Sequence, residues 1–385
     1  MDILPILAAS LVLSNLYATL DIILGLRKMR SLAEISPLPE QEQPVVSIIV
    51  PACNEADTIE PALRSILALA YAHLEVIVIN DRSTDRTGDV LRRIQLDHPG
   101  LQVLEITELP DGWLGKSHAL HQGAKAATGE YLLFTDADIL FEQTTVARAM
   151  SLMVNEKLDH LALIFRNIAR GLLLNAMMID AGGGLFFLFK PWKAEDPKSR
   201  HFIGVGAFNM IRRSVYIQLG CHETIRMHPI DDIMLGKIIK RSGFRQACLS
   251  GYDFLSVRWY ESPGKMIQGL MKNIFALYNF RVVYALAAVL MICLVTILPV
   301  WGTLLASGAA QSCFALAAVI RLFSSAYGAL YTGTTLLAVP FSLLTPYVNV
   351  YIIIKGMLTT LADNGIYWRG THYPLDRLRE NRSLL

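Results

Sequence analysis

The sequence predicts an α/β domain with a mostly parallel sheet, carried between apolar helices near both ends of the chain. Three observations carry this. Apolar residues make up 53% of the chain and charged residues 18%, against about 25% charge in a soluble domain. The charge deficit sits in the first 26 residues and in roughly the last hundred, while the middle has ordinary globular composition. Between about Val45 and Ser256, short β-branched runs alternate with helical patterns, as in a sheet covered on both faces.

Ile3 to Leu26 is long enough to cross a bilayer. Its positive charges, Arg27, Lys28 and Arg30, follow the apolar run rather than precede it. That order predicts an uncleaved anchor over residues 1–30, with the chain from residue 31 onward in the cytoplasm.

The middle domain, 31–260, reads strand by strand. Val45–Val50 is the first strand, and Asp57 to Glu60 is a capping pattern that opens a helix. Glu75–Ile79 is the second strand, Asp85–Leu96 a helix and Leu101–Ile106 the third strand. Ser117–Ala127 is helical, Tyr131–Phe134 is the fourth strand, Thr144–Val154 is helical and Leu161–Phe165 is a fifth strand. Gly171 to Lys190 carries Gly182-Gly-Gly184, is too broken for a span, and reads as an interfacial segment admitting a lipid acceptor or else as a buried core element. After a linker at 261–281, the region 282–361 holds Val282–Leu305, a weaker span at Cys313–Tyr331 interrupted by Arg321, and Thr335–Leu361 with Pro340 and Pro346. The tail, 362–385, contains Arg369, Arg377, Arg379 and Arg382, which favour the cytoplasm. Three full C-terminal spans would put that tail outside, so one of these segments is expected to be re-entrant, interfacial or not a span at all.

Net charge is +2 and no basic stripe with interleaved aromatics occurs, so no nucleic-acid partner is expected. Five scattered cysteines without a CxxC pair argue against zinc and a disulfide framework.

Ligands of such sheets bind beyond the carboxyl ends of the strands, and there the acids collect. The first strand ends in Pro51-Ala-Cys-Asn54-Glu55, the second in Asn80-Asp81-Arg82-Ser-Thr-Asp85, the fourth in Thr135-Asp136-Ala-Asp138. Like charges repel, and a divalent cation with a polar ligand would offset that. Asp136-Ala-Asp138 suits Mg²⁺ or Mn²⁺ shared with substrate phosphates. Asp85 fits a helix cap better than a ligand contact. Gly112-Trp-Leu-Gly115-Lys116 opens a helix and suits a diphosphate. It is not a Walker A loop, because Pro110 stands where that pattern needs glycine. His228-Pro-Ile-Asp231-Asp232 opens another helix, where acids also complement the dipole.

In this order and spacing, PACNEAD, VINDRSTDRT and FTDAD resemble the family 2 inverting glycosyltransferases of the GT-A fold, over roughly Val45 to Arg258. The GWxGK segment resembles membrane-anchored, lipid-directed members, including hopanoid- and carotenoid-associated ones. The resemblance implies that Glu55 and Asp81 hold the base and ribose of a UDP-sugar, with Pro51 and Asn54 shaping the turn. It implies donor contacts from Lys116 and Asp136, a cation on Asp138 and Asp136, and Asp232 as the base with Asp231 as helper. Phe202–Asn209 looks like the acceptor-side strand and turn. Val257-Arg258-Trp259 matches part of the Gln-x-x-Arg-Trp motif of processive synthases, with Leu255 in the Gln position; this weighs against a polymerase and leaves Arg258 as a diphosphate contact. Trp368-Arg-Gly370 with Tyr373 resembles the tail of lipid-directed members. The expectation is an integral protein of a bacterial inner membrane that moves a hexose from a UDP-sugar to a lipid acceptor on the cytoplasmic side.

Overall fold

A computed structural model describes residues 3–380; Arg382 lies outside them. The strands are β1 (Val46–Ala52), β2 (Leu74–Asp81), β3 (Gln102–Ile106), β4 (Tyr131–Phe134), β5 (Leu140–Phe141), β6 (His160–Ile164), β7 (Arg166–Asn167), β8 (Asn209–Arg212), β9 (Gln246–Ser250) and β10 (Leu255–Val257). A tail hairpin adds β11 (Gly365–Trp368) and β12 (Thr371–Pro374). The main sheet has the order β3-β2-β1-β4-β8-β6-β9. All its pairings are parallel except those of β8, which runs antiparallel between β4 and β6. The first residue of β8 therefore lies at the rim where the parallel strands end.

β1 runs past the expected Val50 through Pro51. Its pairing with β4 stops at Ile49 opposite Phe134, so the missing N–H of Pro51 breaks no ladder on that side. The interior strands are buried on both faces, as their β-branched runs require.

The helices are α1 (Ile3–Lys28), α2 (Ile59–Leu67), α3 (Thr87–Asp97), α4 (Gly115–Ala126), α5 (Thr145–Asn155), α6 (Leu172–Phe189), α7 (Arg213–Gln218) and α8 (Asp231–Arg241). They continue as α9 (Pro263–Leu277), α10 (Val282–Ile292), α11 (Leu298–Leu305), α12 (Gly308–Thr332), α13 (Thr345–Ala362) and α14 (Leu375–Glu380). The capping pattern at Asp57 does not form. Thr58 precedes α2 without a side-chain cap bond, and its hydroxyl turns to Glu55 instead, at 2.9 Å.

Among the described residues, four helical stretches are long and apolar enough to cross a membrane: 3–28, 172–193, 282–305 and 308–332. Within the second, α6 runs unbroken through Gly182–Gly184 from Leu172 to Phe189, and Lys190 then turns left-handed. Yet both ends of α6 return to the same sheet, at β6 before it and β8 after it. A single crossing would separate those strands; α6 instead packs Ala176 and Ile179 against Ala329 of α12 and Ala338, while Phe189 at its end joins the core of the sheet.

The remaining helices form a bundle whose ends can be sorted by contact. The early halves of α1 and α12 meet at Ala8, Leu11, Ala310 and Phe314, away from the domain. Their late ends meet the domain: Gly25 packs on Trp192, and Tyr331 on Tyr252 at 5.4 Å. α10–α11, joined by one π turn, starts at the domain and ends at the far cluster. Between Thr335 and Ala362 the expected single kinked span is broken instead. A 3₁₀ stretch holding Pro340 (Leu336–Leu343) meets α13 at 57°. It begins where α12 reaches the domain and ends at the tail hairpin, which also touches the domain. Both ends of the bent pair are therefore on one side.

Arg321, which weakened the α12 reading, is neutralised. Its Nη2 donates to both carboxylate oxygens of Asp180 in α6, at 3.0 and 2.8 Å, and to the Ser342 carbonyl at 3.1 Å. The Thr345 hydroxyl donates to the same carboxylate.

Candidate active site

Asp136, past the end of β4, and Asp231 and Asp232 of α8 gather around Lys116. Lys116 Nζ lies 2.6 Å from Asp136 Oδ1 and 3.9 Å from Asp231 Oδ1. Burial alone would lower its pKa; the charges of Asp136, Asp231 and Asp232 outweigh that and raise it. Lys116, Asp136, Gly206, Asp231 and Asp232 line one small cavity.

α8 starts at Asp231, so both acids stand in its first turn beside free N–H groups. Asp232 Oδ2 accepts from Gly206 N at 2.7 Å, and Oδ1 from Ile233 N at 2.8 Å. The loop before β8 can approach this closely only because Gly204 and Gly206 lack side chains. A Cβ at Gly204 would stand 1.8 Å from the Asp232 carbonyl oxygen, and one at Gly206 2.7 Å from Asp136 Oδ2. Burial raises the Asp232 pKa against the pull of Lys116. Asp231 is pushed up to about 7 by burial, with Lys116 opposing and Asp232 adding. Asp138 is pushed up to about 7 by burial and by the charges of Asp136 and Glu55. This rim holds more negative charge than its cations offset.

The donor-side residues divide. Asn54, at φ 56°, spends its side-chain oxygen on Thr84 N (2.8 Å) and Asp85 N (3.3 Å), tying the loops after β1 and β2 together. It shapes the site rather than facing it. Asp81 is 4% exposed, and its two oxygens accept from Arg82 at 2.8 and 2.9 Å. Glu55 accepts from Arg369 of the tail. Asp85 accepts from Thr87 N at 2.9 Å and Ala56 N at 3.1 Å, consistent with a cap. Arg258 is exposed just past β10, and no hydrogen bond or ion pair to it is found among the described residues. The antiparallel register, Leu255 opposite Phe141 and Ser256 opposite Leu140, runs it back toward Asp138.

Phe202–Asn209 forms a loop rather than a strand; only Asn209 enters β8. Its amide is turned inward, to His160 and to the Asp232 carbonyl at 3.5 Å. His228 is buried and pushed down to about 4, and it accepts from Ile230 N at 3.4 Å; it shapes the turn before α8 as a neutral ring. Sequence reasoning missed His222, which lines the cavity and accepts or donates at Nδ1 to Tyr216 at 2.7 Å. No spacing signal marked it.

Among the described residues no three His, Cys, Asp or Glu side chains converge on one point. Asp136 and Asp138 offer oxygen ligands only, which suits a hard cation that completes its shell with water and phosphate oxygens. The uncompensated charge on Asp138 is the observation that fits such an ion.

A mostly parallel sheet with one antiparallel strand beside an acidic, lysine-bearing rim is the arrangement of the GT-A fold. Residues 47–220 match the family Glycosyl transferase family 2. The chain is 27% identical over 249 residues to a 4,4'-diaponeurosporenoate glycosyltransferase of Staphylococcus haemolyticus, a match covering 60% of each chain. It is 32% identical over 188 residues to the probable glycosyltransferase YdaM of Bacillus subtilis, covering 47% of this chain and 43% of that one. The matches thus span less than two thirds of these relatives. Among solved structures, a mannosyltransferase of Pyrobaculum calidifontis, in complex with GDP-Man and Mn²⁺, shares the fold: TM-score 0.57, 22% identity, 90% of this chain and 98% of that chain.

Proposed function

We propose that this protein transfers a hexose from a UDP-sugar to a lipid acceptor at a membrane surface, by a single inverting displacement. Asp232 takes the acceptor proton. Gly206 N and Ile233 N fix its carboxylate in the cavity beside Lys116 and Asp231, and desolvation raises its pKa, as suits a base that takes one proton. This is the observation that carries the reading. Asp231 and Lys116 set the charge around it, and Lys116 also offers a cation to the departing diphosphate. Asp138 and Asp136 would hold Mg²⁺ or Mn²⁺, which supplies Lewis-acid stabilisation of the leaving group when bound. Glu55 and Asp81 would hold the nucleoside, with Pro51 and Asn54 fixing the turn and Arg258 near the phosphates.

The lipid acceptor is supported by α6, an apolar helix packed beside α12, with Phe187 and Leu188 exposed. It is supported too by the name of the staphylococcal relative, whose printed substrate belongs to the carotenoids. Positive charges after α1 and in the tail support a domain on the cytoplasmic side, in a bacterial inner membrane. A processive synthase is disfavoured, because Leu255 stands where the polymerase motif has Gln and is buried in β10.

Membranes containing the protein, incubated with radiolabelled nucleotide sugars, should yield label in the lipid extract with a UDP-hexose. Label retained in a polymer fraction would reverse the choice of acceptor. No transfer from any donor, to either fraction, would end the reading.

A further inference from the structure

The tail hairpin is a wall of the donor site, and nothing in the family match accounts for it, since that match stops at residue 220. β11 and β12 pair antiparallel across a two-residue turn, Arg369-Gly370, with φ of 49° and 80°. Positive φ at both positions is the primed turn that suits a tight hairpin. It puts Arg369 at the tip.

The hairpin's base is fixed. Ile366, Tyr373, Leu375 and Leu378 pack in one buried cluster with Leu114, just before α4, and with Met227, close before α8. Its upper part then meets three separate donor-side elements. Gly115 N, at the start of α4, donates to the Tyr373 hydroxyl at 3.2 Å. Arg82, which holds Asp81, donates to the Thr371 hydroxyl at 3.3 Å. Arg369 donates to Glu55, and to the Asn54 carbonyl at 3.4 Å. One ten-residue piece from the far end of the chain, 365–374, thus touches the ends of β1 and β2 and the opening of α4.

Charge separates Arg369 from the other cations there. Arg82 is engaged by Asp81 in a fork, and Lys116 by Asp136. Arg369 has a side chain 43% exposed and rests on an acid, Glu55, that the donor itself would claim. When a nucleoside takes Glu55, the guanidinium is released beside the phosphates. A planar fork of donors is the group best matched to phosphate oxygens.

We infer that Arg369 is a donor-binding residue: the hairpin presents it to the diphosphate of the nucleotide sugar, and its contact with Glu55 is the arrangement without donor. This rests on the nucleotide-sugar reading above. It also gives the Trp-Arg-Gly segment a role that membrane anchoring does not supply.

The full chain in detergent, with Mn²⁺, is titrated with UDP and separately with uridine, and in parallel with GDP and guanosine. Arg369→Ala should weaken the preferred diphosphate by about tenfold or more, the loss of a charge-assisted contact, while nucleoside binding stays within about twofold. Arg369→Lys should fall between, because it keeps charge but not the fork. Diphosphate binding unchanged or tightened by Arg369→Ala overturns the inference. So does an equal loss of nucleoside and diphosphate, since that would make the hairpin a mere support. A wild-type protein that binds neither diphosphate removes the nucleotide-sugar reading itself, and the inference with it.

Discussion

Two sets of buried charges behave in opposite ways. At the rim of the sheet, Asp136, Asp138, Asp231 and Asp232 face Lys116, and the acids are in excess. In the helix bundle, Asp180 and Arg321 stand one to one, with Thr345 and the Ser342 carbonyl completing the set. In the first set burial, with like charge adding to it, raises the pKa of Asp138 and Asp231. The second is balanced in charge. An unbalanced set invites ligands and changes protonation; a balanced one fixes structure, here by pinning α6 and the broken 3₁₀–α13 pair to α12. Removing charge should therefore hurt function in one place and folding in the other.

The largest effect is expected at the base. Asp232→Asn keeps the acceptor for Gly206 N but cannot take a proton. Transfer should drop by about 100- to 10,000-fold, with donor affinity and thermal midpoint little changed. A variant that retains even a third of the activity would place the base elsewhere.

The bundle pair should show the reverse. Arg321→Ala leaves Asp180 without its partner and should cost about 3–5 kcal/mol of stability, read as lost yield and a lower midpoint. Asp180→Leu with Arg321→Met should recover most of that. If the double variant folds well but loses transfer, the pair acts in chemistry and the contrast fails.

The smallest effect tests the excess of acid by pH. A carboxyl whose folded pKa lies above its unfolded value makes the fold less stable as pH rises from about 4 through about 7. Without cation, Asp138→Asn should therefore raise the thermal midpoint at pH 8 by about 2–4 °C and leave it unchanged at pH 4. Added Mn²⁺ should stabilise the parent and not the variant. Equal Mn²⁺ stabilisation of both would move the cation off Asp138.

The strand ends were legible because burial on both faces forces apolar runs, and a polar motif at the end of such a run is conspicuous. Asp81 and Asp136 stand out that way, whereas Asp232, which opens a helix, is singled out by the family resemblance. The glycines of Phe202–Asn209 were visible, but their purpose was not: it lies in a 1.8 Å clearance over a helix turn 28 residues further on. His222 and Arg369 were missed as site residues because their roles come from contacts across long separations. Arg321 looked like a fault in a span, since its partner Asp180 lies in a different helix 141 residues away. The continuity of α6 was obscured by Gly182–Gly184, whose helix cost is modest against an otherwise apolar run.

The placement of α6 also constrains how the polypeptide is made. β8 and β9 join the sheet beside β4 and β6, so the sheet cannot close until residue 250 has left the ribosome. Long before then, a stretch as greasy as a true span has already emerged between β7 and β8. The insertion machinery has to pass it by, and Asp180 at its middle is the residue that makes it a poor substrate for lateral release into lipid. Its counter-charge arrives only with α12, so for well over a hundred codons the nascent chain carries an acid whose partner does not yet exist.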